Sequence, residues 1–331
     1  MTDADDVPST ANLDHRFAPG DKLAGRYRIV NLIGEGAIGE VYEAFDEALA
    51  EPLAVKTLRA QVASQAVTVE RFRREIQLAR KVTHRNVCRT YDLGRHEMPD
   101  GNVVMFLTME LLRGTSLDRY MRGRGRLSPA DALPFVLQMT AGLDAAHTAG
   151  VIHRDFKPGN LVLVPEAGAG PDDPQRLVIS DFGLARRHGL GEETITSTGE
   201  SLGTPLYMAP EQVHSGIEPI TPATDLYALG IVMYELVTDE MPFKGNSTTV
   251  MALKRLKERP VSPREVVPDL DPLWEAVIMK CLERAPAKRY QTAAEIQAAL
   301  TGAAPAPPAG GPSDDTPPGR FGSFFGRKKK S

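Results

Sequence analysis

Cysteine is nearly absent from this 331-residue sequence. The two that occur, Cys88 and Cys281, stand far apart and without metal-ligand spacing. A disulfide framework is therefore not expected, and two packed thiols in a reducing compartment fit better. Long apolar runs are missing as well: none approaches the roughly 18 residues of a membrane span. The opening "MTDADDVPST" is acidic where a secretory signal would be apolar, so no such signal is expected. An excess of positive charge is also lacking. The formal net charge of -4 argues against bulk nucleic-acid binding and leaves local basic patches open.

What is present is ordinary for a soluble globular chain, with 42% hydrophobic and 25% charged residues. Residues 1–26 are polar, with five aspartates, and read as a flexible leader. Residues 302–331 hold six prolines and six glycines and read as a disordered tail. That tail ends in "GRFGSFFGRKKKS", where Arg320, Arg327, Lys328, Lys329 and Lys330 mix with Phe321, Phe324 and Phe325. Such a segment is either solvated or a weak, salt-sensitive contact for an anionic inner membrane surface or an acidic partner. The expected location is cytoplasmic, with peripheral attachment as the second reading.

Between these ends the pattern changes once. "YRIVNLIGEG", "GEVYEAFD" and "PLAVKTL" are short strand-like runs separated by turn residues. Val69, Phe72, Ile76 and Ala79 then recur at helical spacing. "RTYDLGRHE" and "GNVVMFLTMELL" read as a strand pair. From Leu117 the chain turns mainly helical, and "DLYALGIVMYELVTD" is apolar nearly all round, as in a buried helix. Residues 165–176 look like an enlarged turn. The expected fold class is α+β, a small sheet-rich lobe followed by a larger helical one.

The chemistry-bearing residues lie in four stretches. Gly34, Gly36 and Gly39 join two strands, which suits a flap whose N–H groups approach phosphates. Lys56 ends the apolar run "LAVK" and needs an anion if it faces inward, with Glu75, Glu70 or a phosphate as candidates. In "VIHRDFKPGN", Asp155 can accept the proton of an incoming hydroxyl, and Lys157 can neutralise a transferring group. Asn160 there and Asp181 in "SDFGLAR" offer oxygens suited to a hard cation such as Mg2+. Together they point to phosphoryl transfer by positioning and charge neutralisation. His153 reads as a packed structural histidine.

In order and spacing, the glycine turn, "LAVK", Glu75, "HRDFKPGN", "DFG" and "APE" resemble the eukaryotic-type (Hanks-type) protein kinases, bacterial ones above all. The resemblance covers residues 27–301 and implies a bilobal kinase fold, with an N-lobe over 27–109, a hinge over 110–113 and a C-lobe over 114–301. It implies ATP and Mg2+ as cofactors and proteins as substrates. Ile33, Gly34, Gly36, Gly39 and Val41 would cover the nucleotide. Lys56 would hold the α and β phosphates and pair with Glu75. Met109 would be the gatekeeper, and the backbones of Glu110 and Leu112 would bind adenine. Asp155 would be the base, Lys157 would meet the γ-phosphate, and Asn160 and Asp181 would hold the metal. Glu211 would pair with Arg289, and Asp225 would brace the catalytic loop. Lys157 and "GTPLYMAPE" resemble the serine/threonine class. Thr196 and Thr198 would be autophosphorylated. The departures, Ile38, Phe156 and Tyr227, remove no charged group. The rival expectation is a kinase-fold scaffold without turnover.

Overall fold

The structure, a computed structural model, describes residues 16–35, 39–58, 66–166, 168, 175–182, 205–214 and 218–303. Strands β1 (Lys22–Leu23), β2 (Tyr27–Glu35), β3 (Glu40–Asp46) and β4 (Glu51–Thr57) precede helix α1 (Ala66–Ala79) and strands β5 (Thr90–Glu97) and β6 (Val103–Met109). The six strands form one antiparallel sheet in the order β1-β2-β3-β4-β6-β5. Its outer face buries Leu23, Ile29, Tyr42, Val55 and Phe106. The opposite face buries Leu58, Met105 and Leu107 beneath Ile76 of α1. The central strands β4 and β6 are covered on both sides, which is why they read as near-continuous apolar runs.

The leader expected over 1–26 ends earlier than that. Phe17 and Leu23 are buried in the outer face, and the Phe17 ring meets Tyr42 edge-on at 5.9 Å. Isolated apolar residues carry no periodicity to read, yet they close this face of the lobe. The expected tail, from 302 on, lies outside the described residues beyond Ala303.

After the hinge come β7 (Thr115–Ser116), α2 (Leu117–Met121), α3 (Pro129–Thr148), β8 (Leu161–Val164) and β9 (Arg176–Ile179). Helices α4 (Pro210–Val213), α5 (Pro222–Thr238), α6 (Thr248–Lys254), α7 (Pro263–Val266), α8 (Pro272–Cys281) and α9 (Ala293–Thr301) complete the lobe. β7, β8 and β9 make a small antiparallel sheet facing the cleft. Ser128 caps α3 by accepting from the Asp131 N–H at 3.2 Å, with Pro129 in the first turn. α5 is buried along almost its whole length and forms the lobe's axis. Gly230 lets α8 come close: a Cβ there would lie 2.6 Å from the Cys281 Cβ. Both cysteines are buried free thiols, and burial pushes Cys281 up to about 12. The segment after α1 ties the lobes together. The Ile179 N–H donates to the Asn86 carbonyl at 2.9 Å, and the Cys88 N–H to the Ile179 carbonyl at 2.8 Å.

Candidate active site

The cleft between the lobes collects most of the residues singled out by chemistry. Its roof is the β2–β3 hairpin, where Gly34 opposes Val41 and Glu35 opposes Glu40. The two described glycines differ in why they are glycine. A Cβ on Gly39 would strike the Thr57 carbonyl at 1.7 Å, so the fold itself demands glycine there. A Cβ on Gly34 would meet only Val41 at 3.9 Å, so the fold leaves room on the cleft side. Gly36 and Ile38 lie outside the described residues. Ile33 is exposed at 45%, and Val41 packs against the apolar cluster of Ala54, Met109 and Val178.

Lys56 is buried, and its ammonium meets Asp181 at 2.8 Å. The expected pairing of Lys56 with Glu75 is not formed in this structure. Glu75 instead accepts from the Arg154 guanidinium at 3.4 Å. The reason is positional: a buried ammonium takes the nearest carboxylate, and the turn after β9 brings Asp181 under β4. Asp181 has φ 61°, a left-handed backbone that a non-glycine residue adopts only where its surroundings enforce it. Burial alone would raise its carboxyl, but Lys56 outweighs that and holds it below the usual carboxylate range.

The catalytic loop is compact. Lys157 Nζ donates to Asp155 Oδ2 at 2.7 Å, and Asn160 Nδ2 to the same oxygen at 3.2 Å. Asn160 Nδ2 also donates to the Asp155 carbonyl at 2.8 Å, and among the described residues nothing donates to its Oδ1. Buried Asp225 braces the loop from α5 by accepting from the His153 and Arg154 N–H groups at 2.7 and 2.8 Å. Its oxygen also lies 2.7 Å from His147 Nε2. Burial would raise the Asp225 carboxyl, but these bonds hold it below the usual range. His153 is fully buried, with Nε2 2.8 Å from the Ser180 carbonyl and its ring against Phe182. It is a strut between the two loops.

At the back of the cleft, the Glu110 carboxylate accepts from Arg176 at 2.8 Å and from the Arg89 N–H at 3.3 Å. The Glu110 N–H donates to the Arg89 carbonyl at 2.8 Å, and among the described residues the Glu110 carbonyl meets only the Cys88 thiol, at 3.7 Å. Among the described residues the Leu112 backbone has no hydrogen-bond partner. Both hinge positions thus keep polar backbone groups available beside an apolar pocket. Asn160 Oδ1 and the Asp181 carboxylate supply hard oxygen donors on two facing loops. That donor set fits Mg2+, which takes few protein ligands beside phosphate and water oxygens.

Below the cleft, Glu211 and Arg289 form a bidentate pair with both contacts at 2.8 Å, buried on both sides. All five guanidinium donors are used, the other three by the carbonyls of Glu283, Ala223 and Arg284. Thr224 also donates to Glu211 at 2.8 Å. Sequence reasoning missed Arg255. It is buried with no carboxylate partner among the described residues and donates to the carbonyls of Pro205, Leu206 and Met208. Gln212, also missed, joins α4 to the catalytic loop by donating to the Arg154 carbonyl at 2.7 Å. Thr196 and Thr198 lie outside the described residues.

A family model described as "Protein kinase domain" matches residues 27–300. The chain is 36% identical over 303 residues to the serine/threonine-protein kinase PknA of Mycobacterium tuberculosis, covering 91% of this chain and 66% of PknA. It is 35% identical over 279 residues to the serine/threonine-protein kinase PrkC of Bacillus subtilis, covering 84% of this chain and 40% of PrkC. It thus spans just under two thirds of the first relative's length and two fifths of the second's. The solved kinase domain of Mycobacterium tuberculosis PknI superposes with a TM-score of 0.66 at 26% identity, covering 87% of this chain and 100% of that one. With the motif residues gathered in one cleft between a sheet lobe and a helical lobe, the chain belongs to the eukaryotic-type (Hanks-type) protein kinase family.

Proposed function

We propose that this protein is a serine/threonine protein kinase that transfers the γ-phosphoryl group of Mg·ATP to hydroxyls of protein substrates. The observation that supports this best is the set Asp155, Lys157 and Asn160, hydrogen-bonded at 2.7 and 3.2 Å and facing the Lys56–Asp181 pair. Adenine would lie in the apolar pocket of Ala54, Val41 and Met109, against the Glu110 carbonyl and the Leu112 backbone of the hinge. Lys56 would turn from Asp181 toward the α and β phosphates. Asn160 and Asp181 would hold Mg2+, which when bound supplies charge neutralisation on the phosphates.

In the reaction the substrate oxygen forms a bond to the γ-phosphorus as the bond to the ADP oxygen breaks. Asp155 takes the hydroxyl proton. Lys157 meets the charge spread over the transferring group, and Asn160 keeps Asp155 oriented. Lys157 and "GTPLYMAPE" favour Ser and Thr acceptors over Tyr. The protein would act in signalling, in the cytoplasm or at the inner membrane surface. Thr196 and Thr198 would be autophosphorylated, and Arg154 would be a cation for the added phosphate to pair with.

The test is incubation of the purified protein with ATP, followed by phosphosite mapping beside Asp155→Asn. Phosphoserine and phosphothreonine should form in wild type and vanish in the variant. Their absence from both would favour the rival, a kinase-fold scaffold.

A further inference from the structure

We infer that Arg176 is a positioning residue for nucleotide binding, a role that rests on the kinase reading of the cleft. Acting through the Glu110 carboxylate, Arg176 fixes the hinge carbonyl that receives the amino group of adenine. Glu110 is held at three points. Its N–H donates to the Arg89 carbonyl at 2.8 Å, its Oε2 accepts from the Arg89 N–H at 3.3 Å, and its Oε1 accepts from Arg176 Nη2 at 2.8 Å. Its carbonyl has no strong donor: among the described residues it meets only the Cys88 thiol, at 3.7 Å. A thiol is a weak donor and a carbonyl carries two lone pairs, so an amino group can still be accepted. Anchors on both the N–H and the carboxylate stop the residue from rolling about the hinge. The direction of the carbonyl therefore depends on where the carboxylate is tied.

Of the two carboxylate anchors, Arg176 is the shorter and the charge-assisted one, and so the stronger. It is itself firmly placed. Arg176 opens β9, opposite Val164 of β8. Gln138 of α3 clamps the backbone on either side of it. The Gln138 Nε2 donates to the Gln175 carbonyl at 3.1 Å, and its Oε1 accepts from the Leu177 N–H at 2.8 Å. Buried Asn86 completes the clamp, donating to the same Gln138 oxygen at 2.9 Å and to the Leu177 carbonyl at 2.7 Å. A guanidinium on so fixed a backbone puts its charge in one place. Arg176 and Glu110 are each 26% exposed, and a pair that wet adds little to stability. What it supplies is orientation. The other contacts of the nucleotide do not involve Arg176: the faces of adenine would meet Val41, Ala54 and Met109, and the phosphates Lys56. Loss of Arg176 should therefore be felt at the adenine amino group alone.

The experiment measures calorimetric binding of two nucleotides to the full chain, each with Mg2+: ATP, and the purine riboside triphosphate that lacks the amino group. Wild type should prefer ATP by about 3–10-fold, the worth of one neutral hydrogen bond. Arg176→Met keeps the stem and removes the donors. It should weaken ATP by most of that factor and leave the analogue unchanged. Glu110→Ala should do the same, and the double variant should be no worse than either single one, because both remove the same link. Should Arg176→Met not fold, Arg176→Gln carries the same expectation. Equal weakening of both nucleotides would overturn the proposal by making Arg176 a packing residue. So would unchanged ATP affinity in the Arg176 variant, losses that multiply in the double variant, or a wild type that binds both nucleotides equally. Each of these leaves the kinase reading standing. A wild type that binds neither nucleotide would overturn the proposal and that reading together.

Discussion

Lys56 of β4 and Asp181 behind β9 face each other at 2.8 Å, so one ion pair spans the cleft from roof to floor. Each is the other's counter-charge in this structure, and the proposed reaction gives each a role on the phosphates. Removing one contact that meets charge in a transition state lowers rate by about 10²–10³. Lys56→Met and Asp181→Asn are each expected to reduce phosphoryl transfer by at least that factor. Circular dichroism should still show the mixed helix and sheet content of wild type. Near-wild-type rates in both variants would remove these residues from the chemistry.

The Glu211–Arg289 pair stands in the helical lobe, far less exposed than the cleft pair. Losing one partner of a buried pair costs about 3–5 kcal/mol, because the other charge is left uncompensated. Arg289→Met is expected to destabilise the protein by that amount in urea unfolding. Glu211→Gln/Arg289→Met should recover part of it.

Acid should act on the same lobe. Burial would raise the carboxyls of Glu211 and Asp225, but Arg289 for one and His147 for the other hold both below the ordinary range. A carboxyl lowered by folding stabilises fully above its unfolded pKa of about 4. That contribution is lost as pH falls through the lower folded value. Stability should therefore decline from about pH 4 downward. Asp225→Asn should flatten that decline. An identical pH slope in wild type and variant would contradict the assignment.

Arg255 holds three carbonyls of the segment 205–208, and burial lowers its pKa. Leaving such buried acceptors without donors costs about 1–3 kcal/mol each. Arg255→Met should lower thermal stability and raise KM for a protein acceptor more than KM for ATP. Arg255→Lys should restore little, since a single ammonium lacks the fork that reaches separate carbonyls. Equal effects on both KM values would make Arg255 a general packing residue.

How much of this was legible depended on sequence distance. Asp155, Lys157 and Asn160 lie within six residues, so their spacing already implied a common loop. Gly39 and Lys56 were legible because Gly39 leads into the alternating strand β3 and Lys56 stands at the end of the apolar run of β4. The partner of Lys56 was not, since choosing between Glu75 and Asp181 requires knowing how α1 sits against β4. Arg255 was hidden for a different reason. It stands in "ALKRLKERP" among Lys254, Lys257 and Glu258, which reads as a solvated helix face. The signal was Ala252, a buried residue three positions earlier on the same helix face. Phe17 and Leu23 escaped because two isolated apolar residues in a polar stretch show no period.

The central claim is that Asp155 accepts the proton of a Ser or Thr hydroxyl during transfer from ATP. The most direct measurement is single-turnover transfer of labelled γ-phosphate to a Ser/Thr-containing acceptor protein by wild type and by Asp155→Asn, with nucleotide binding measured in parallel. Nucleotide affinity should be unchanged and transfer should fall by at least about 10², the general-base share of such a reaction. Equal transfer by the two proteins at equal nucleotide occupancy would contradict it.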